Sequence, residues 1–266
     1  MNPQLIRARV LTLGSFFINF GCQLYGMLSS PNMKEVADAN HYAFSPNPYF
    51  IAAFFALQVV FAKYEHRVSL PGGISEIDPA TLVHTENSNE PEPAQVAYAP
   101  IYALGNLCIA AWMVFWANEL FWAAQVMVTI NTFIQLYAVY YLLGSSSPFA
   151  LSTHNIPTHL VAKTFAGIGV LDFLDNGAVA LKYPGPPSLL VQIMTVLLFT
   201  VLAASSDIIF ALCMFYNAIA LLVGQPTWRP ALGVAVAVVG LLGFSRVSFM
   251  WSKMAGTEDG RVRSVQ

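Results

Sequence analysis

Apolar residues fall into long blocks separated by short polar ones. The blocks lie near 10–28, 47–63, 98–117, 120–143, 158–181, 188–205, 207–224 and 230–251. A helix that crosses a bilayer needs about 20 predominantly apolar residues, and each block approaches that length. The stretch 189–224 is nearly continuous and too long for one crossing. Ser205, Ser206 and Asp207 interrupt it, which predicts a tight helical hairpin; without that break the count falls to seven. The pattern predicts an all-α fold, a polytopic transmembrane helix bundle of about eight spans occupying 1–251. A polar tail, 252–266, is expected to be disordered.

Two polar segments are longer than the rest. The segment 64–97 holds Glu65, Arg67, Glu76, Asp78, Glu86, Glu90 and Glu92 among Pro71, Gly72, Gly73, Pro91 and Pro93, and reads as a mobile loop. The segment 29–46 carries Pro31, Lys34, Glu35 and Asp38. Arg7 and Arg9 precede the first block, which has no small-x-small cleavage pattern before Ser29 and is expected to stay as a span. No repeat is visible along the chain.

Composition agrees with the pattern. Of 266 residues, 56% are hydrophobic and only 10% charged, against roughly 25% charged in soluble domains. Mean hydropathy is +0.59. The formal net charge of −2 gives no reason to expect a nucleic-acid partner. Cys22, Cys108 and Cys213 stand far apart in apolar blocks with no CxxC, so neither zinc nor a redox pair is expected, and no cofactor is. With eight spans, one side collects Arg7, Arg9, Lys63, Arg67, Arg246, Lys253, Arg261 and Arg263, and the other Lys34, Lys182 and Arg229. Positive charge favours the cytosolic side. Both termini and the 64–97 loop are therefore expected in the cytosol, with the bundle in the endoplasmic reticulum or another endomembrane.

Ionisable groups inside spans cost about 2.5–3.5 kcal/mol each at mid-helix, so they are the first candidates for chemistry. Asp172, Asp175 and Asn176 lie three and four residues apart, on one face of a helix. Two carboxylates so placed repel when both are charged, and one is expected to hold a proton. Such a carboxylic acid is a general acid or a relay station; the alternative is a pair that merely bonds neighbouring helices. Glu119 lies in the turn between the third and fourth spans, amid Trp112, Phe115, Trp116, Phe121 and Trp122, and is either a third candidate acid or a solvated turn carboxylate. Asn176, Trp116, Trp122 and Phe173 are the candidate walls for a hydrophobic small-molecule substrate. Lys163 is expected to snorkel to the cytosolic interface. Asp207 reads as an N-cap. His154 and His159 have no third ligand nearby, so no metal site is predicted. Asn106, Gln125, Asn131, Gln135 and Asn217 are expected to bridge helices.

Aromatic residues make up 13% of the chain. Aromatic faces attract cations. A protonated carboxylic acid among such faces, shielded from water, is what acid-initiated cyclisation of a polyene or its epoxide requires.

The segment from Tyr98 to Trp251 resembles a fungal family of multispan membrane proteins, through Trp112 to Trp122, Asn155-Ile-Pro157 and Asp175-Asn-Gly-Ala-Val-Ala180. In size and span number the chain also looks like the membrane-bound terpene cyclases of ascochlorin- and macrophorin-type meroterpenoid pathways. That resemblance implies cyclisation of a farnesyl chain, or its terminal epoxide, on an aromatic or quinone-derived head group; it carries over no catalytic residue. The DxxD run at Asp172–Asp175 is similar to one half of an intramembrane prenyltransferase site, whose second Asp-rich motif is missing here. A proton-coupled carrier of a small molecule and a non-catalytic membrane scaffold are the competing expectations.

Overall fold

The computed structural model describes residues 3–54 and 92–263. Among these residues every regular element is a helix and no strand occurs. Helix α1 spans Pro3–Leu28, α2 Met33–Ala39, α3 48–54, α4 Pro93–Ala117 and α5 Phe121–Tyr137, which runs on as a π-helical turn over Ala138–Leu142. Then come α6 (Ile156–Ala180), α7 (Leu189–Ala204), α8 (Ile208–Gly224), a 3-10 turn (Pro226–Trp228) and α9 (Arg229–Arg263).

Three stretches, Ile6–Leu28, Pro93–Ala117 and Pro226–Ser248, are long and apolar enough to cross a membrane; α7 and α8 are apolar but shorter. The outer surface fits lipid. Leu189, Leu190, Met194 and Val201 on α7, and Leu241 and Phe244 on α9, are all exposed. Contiguous apolar surface of this kind is rare on a protein that faces water.

Local sequence sets the helix ends. Asn32 and Glu35 form a reciprocal capping box on α2. Glu92 caps α4, with Pro93 in its first turn. Ser188 caps α7, and Asp207 accepts from the backbone amides of Ile209 and Phe210 to cap α8. Two expectations need correction. Residues 93–97, at the end of the expected loop 64–97, are the first turn of α4, while 64–91 and the end of the second expected span lie outside the described residues. The expected disordered tail is helical to Arg263, where no proline breaks α9 after Pro230.

The packing order is legible in single contacts. Helices α1 and α4 run parallel: Asn19 Nδ2 donates to Asn106 Oδ1 at 2.8 Å. Higher up, Gly26 is so close to Met113 that a Cβ there would sit 2.1 Å from the sulfur. Helices α4 and α5 are antiparallel, joined by Tyr98 Oη to Gln135 Oε1 at 2.7 Å near one end and by an edge-to-face contact of Trp116 with Phe121 near the other. Antiparallel α5 and α6 meet where Thr132 Oγ1 donates to the Gly169 carbonyl at 2.7 Å. Parallel α6 and α8 meet where Asn217 Nδ2 donates to the Gly167 carbonyl at 2.6 Å. Helix α9 returns antiparallel to α8, and α7 packs on both. Helix α6 is the axis of the bundle, with nearly every residue from Thr158 to Leu171 buried.

Candidate functional site

The loop after α2 builds one end of the bundle. Residues Ala43, Phe44, Ser45 and Pro46 are buried although they belong to no regular element. A buried loop must find partners for its backbone polar groups, and here they are supplied from far along the chain. Gln225 Nε2 donates to the carbonyls of Tyr42 at 2.7 Å and Ser45 at 2.8 Å. Trp228 Nε1 donates to the Ala43 carbonyl at 3.1 Å, and the Trp228 ring meets Phe44 edge to face. The amides of Ala43 and Asn47 donate to the carbonyls of Tyr183 and Ala220. At Gly224 the backbones touch: a Cβ would lie 2.6 Å from Ser45 O, Pro46 C and Asn47 N alike.

This loop reaches α6 at Asp175. Ser45 Oγ donates to Asp175 Oδ1 at 2.8 Å and accepts from the Tyr42 amide at 3.0 Å. One turn before it, Asp172 is half-buried, and its carboxyl has no hydrogen bond or ion pair among the described residues. No Lys or Arg pairs with either acid there. Both acids are closely surrounded by protein, yet each keeps some accessible surface. At about 100° per residue, Asp172 projects between Asp175 and Asn176.

Asn176 is 2% exposed and fully engaged. Its Oδ1 accepts from Trp112 Nε1 at 3.1 Å, and its Nδ2 donates to Gln125 Oε1 at 2.8 Å and the Phe121 carbonyl at 3.2 Å. It ties α6 to α4 and α5. Trp112, Trp116 and Phe121 follow one another beside it, the first pair tilted at 5.7 Å between centroids and the second edge to face at 5.3 Å. Trp116 is buried, and its Nε1 donates to the Met33 carbonyl at 3.4 Å.

The remaining sequence candidates lie apart. Glu119 is exposed on the α4–α5 turn with φ 57°, and its carboxylate has no partner among the described residues. Trp122 is 63% exposed and faces outward, because it follows inward-leaning Phe121 by one residue on the helix. The half-buried Phe173 ring leans outward onto exposed Phe133 at 6.1 Å.

A second polar cluster sits at the opposite end of α6. Lys163, expected to snorkel, is 1% exposed. It forms an ion pair with Asp207, and its Nζ lies 2.6 Å from His159 Nδ1. His159 Nε2 is 2.9 Å from the Phe149 carbonyl, so the neutral ring donates there and accepts the lysine proton at Nδ1. Lys163 turns inward because the half-buried Asp207 carboxylate at the head of α8 offers it a counter-ion. Asp207 serves both as cap and as counter-ion. The sequence signal was two opposite charges, each isolated in an apolar block. For Ser45 and Gln225 no such signal exists. Among the described residues no group of three His, Cys, Asp or Glu side chains is placed to hold a metal ion.

The fold and site define a protein that is all-helical among the described residues, with three helices long and apolar enough to cross a membrane and two carboxyl groups on its central helix. No family model, no curated protein and no solved structure matches the chain.

Proposed function

We propose that the chain is a membrane-embedded terpene cyclase that closes rings on a prenyl chain or its epoxide, with Asp172 as the acid. The observation that carries this reading is the pairing of an unengaged Asp172 carboxyl with an Asp175 fixed by Ser45, one turn from an aromatic group of Trp112, Trp116 and Phe121. Without a cationic partner, a proton is the counter-charge that lets two close carboxyls share one helix face.

In the proposed reaction Asp172 gives its proton to the epoxide oxygen, or to the terminal alkene carbon. The C–O bond opens, or the π bond is spent, and a carbocation forms. Internal alkenes attack it in turn, each forming one C–C bond. A C–H proton lost at the last cation goes to a carboxylate, so product and substrate are isomers and the acid is restored. Aromatic faces stabilise the cation, and exclusion of water prevents its capture. Asp175 keeps its neighbour's geometry, while Glu119, exposed on its turn, is no part of the step.

The reading includes eight spans in an endomembrane with both termini cytosolic. The alternation of parallel and antiparallel neighbours supports it, since it returns the N-termini of α4, α6 and α8 to one end. The test is expression in yeast microsomes supplied with a farnesylated phenol or its terminal epoxide. Cyclised product is expected from the wild type, none from Asp172→Asn, and wild-type yield from Glu119→Gln. No product from any polyprenyl substrate, together with pH-driven uptake of a solute into vesicles, would instead establish a carrier.

A further inference from the structure

A chain of side-chain amides between α1 and α4 ends on an atom with nothing to bond. Asn106 Nδ2 donates to the Tyr102 carbonyl at 3.0 Å. Asn106 Oδ1 accepts from Asn19 Nδ2 at 2.8 Å, and Asn19 Oδ1 accepts from Gln23 Nε2 at 3.3 Å. A backbone carbonyl can only accept, so it fixes the orientation of every amide in the chain. The free end is therefore an acceptor. Gln23 is 8% exposed, and its Oε1 is buried without a partner among the described residues. Buried amide oxygens are almost always hydrogen-bonded, and what this one lacks is a donor.

Gln23 stands at the level of Asp172. On α1 it falls between Asn19, which bonds Asn106, and Gly26, which meets Met113. On α6 Asp172 falls between Phe165, whose ring meets Tyr102 and Gly105, and Asn176, which bonds Trp112. Spacings of three, four and seven put each of these sets on one face of its helix. Along α4, Asn106 and Met113 mark the line that meets α1, and Gly105 and Trp112 the line that meets α6. The two lines are one residue apart, about 100° around the helix. Buried Ile109 lies between them. Packed helix axes lie about 8–10 Å apart, which sets the axes of α1 and α6 about 12–15 Å from each other. The groove above Ile109 thus has Gln23 on one wall and the unengaged Asp172 on the other.

We propose that Gln23 is a further substrate-contacting residue of the Asp172 site, where it accepts a hydrogen bond from the hydroxyl group that forms as Asp172 opens an epoxide. The inference rests on the cyclase reading and adds a residue that tells the epoxide from the plain alkene. An epoxide oxygen has no proton to donate, so Gln23 Oε1 gains nothing from the bound substrate. When Asp172 gives its proton to that oxygen, the C–O bond breaks and its electron pair stays on oxygen. The new O–H then has Gln23 Oε1 as its acceptor, and the carbon is left as the cation that the next alkene attacks. An interaction made only as the reaction proceeds raises kcat without tightening substrate binding. An alkene is protonated on carbon, forms no O–H and has no use for Gln23.

The test uses the purified full chain in detergent with a farnesylated phenol and, separately, its terminal epoxide. Gln23→Met is close in shape and has no amide oxygen. It is expected to lower kcat for the epoxide about tenfold, with KM and alkene turnover each within about twofold of wild type. Gln23→Asn keeps an amide but withdraws its oxygen by one methylene, and is expected to show the same split. Thermal melting in detergent identifies folded variants. Equal losses on the two substrates, a rise in KM alone, or wild-type epoxide turnover by a folded Gln23→Met variant overturns the inference and leaves the cyclase reading standing. So does a wild type that cyclises the alkene but not the epoxide. Absence of cyclised product from both substrates overturns the two together.

Discussion

Ser45 and Asp175 are 130 residues apart in the chain and 2.8 Å apart in the fold, joined by a hydrogen bond from hydroxyl to carboxyl. The bond holds a buried loop against the central helix and fixes one of its two acids. Ser45→Ala removes the donor while leaving the loop's anchors at Gln225 and Trp228 in place. The expected loss of stability is about 1 kcal/mol. In the assay of the proposed cyclisation, product should fall roughly tenfold, the size of one lost positioning interaction, and Ser45→Thr should restore most of it. Product yield and detergent melting together check this.

Gly224→Ala places a methyl group 2.6 Å from three backbone atoms of Ser45, Pro46 and Asn47. Backbone cannot swing aside as a flexible side chain does. A destabilisation of about 1–3 kcal/mol is expected, read as a lower melting temperature in detergent. The loop should also become open to proteolysis. Gly233→Ala, which meets open space, is the control and should melt with the wild type.

Lys163→Met leaves Asp207 without its counter-ion and His159 Nδ1 without its donor. Breaking a buried pair on one side costs about 3–5 kcal/mol; partial exposure of Asp207 puts this one at the lower end. Asp207→Asn keeps a good α8 cap but strands the lysine. The double variant should recover more than half of the larger single loss, and a double-mutant cycle on thermal or denaturant unfolding measures that coupling.

Asn176→Ala orphans the buried Trp112 indole N–H and frees Gln125. Each unsatisfied buried group costs about 1–3 kcal/mol, so a loss of at least 2 kcal/mol is expected. Trp112 fluorescence should shift as its surroundings loosen. A variant that melts and fluoresces as the wild type does would show that Asn176 does not hold the three helices together.

Much of the helical layout is legible in the sequence, because long apolar blocks must satisfy their backbone hydrogen bonds within themselves. Blocks of about 20 apolar residues form helices wherever they lie, and Ser188 and Asp207 announce helix starts through short-range bonds to their own backbone. The acid face of α6 follows from helical periodicity alone. The same local reasoning fails where partners are remote. Lys163 looks like an interfacial lysine until α8 brings Asp207 beside it. Trp122 looks like a wall until Phe121 takes the inward position.

The order of residues suffices to make this chain helical and apolar and to set carboxyl groups inside an apolar block, because those properties depend on residues within a turn or two of one another. Tertiary structure alone decided that Ser45 holds Asp175, that Asp172 stays unengaged and that Lys163 is buried with Asp207. Each of those depends on which helices become neighbours, and packing, not local pattern, chooses the neighbours.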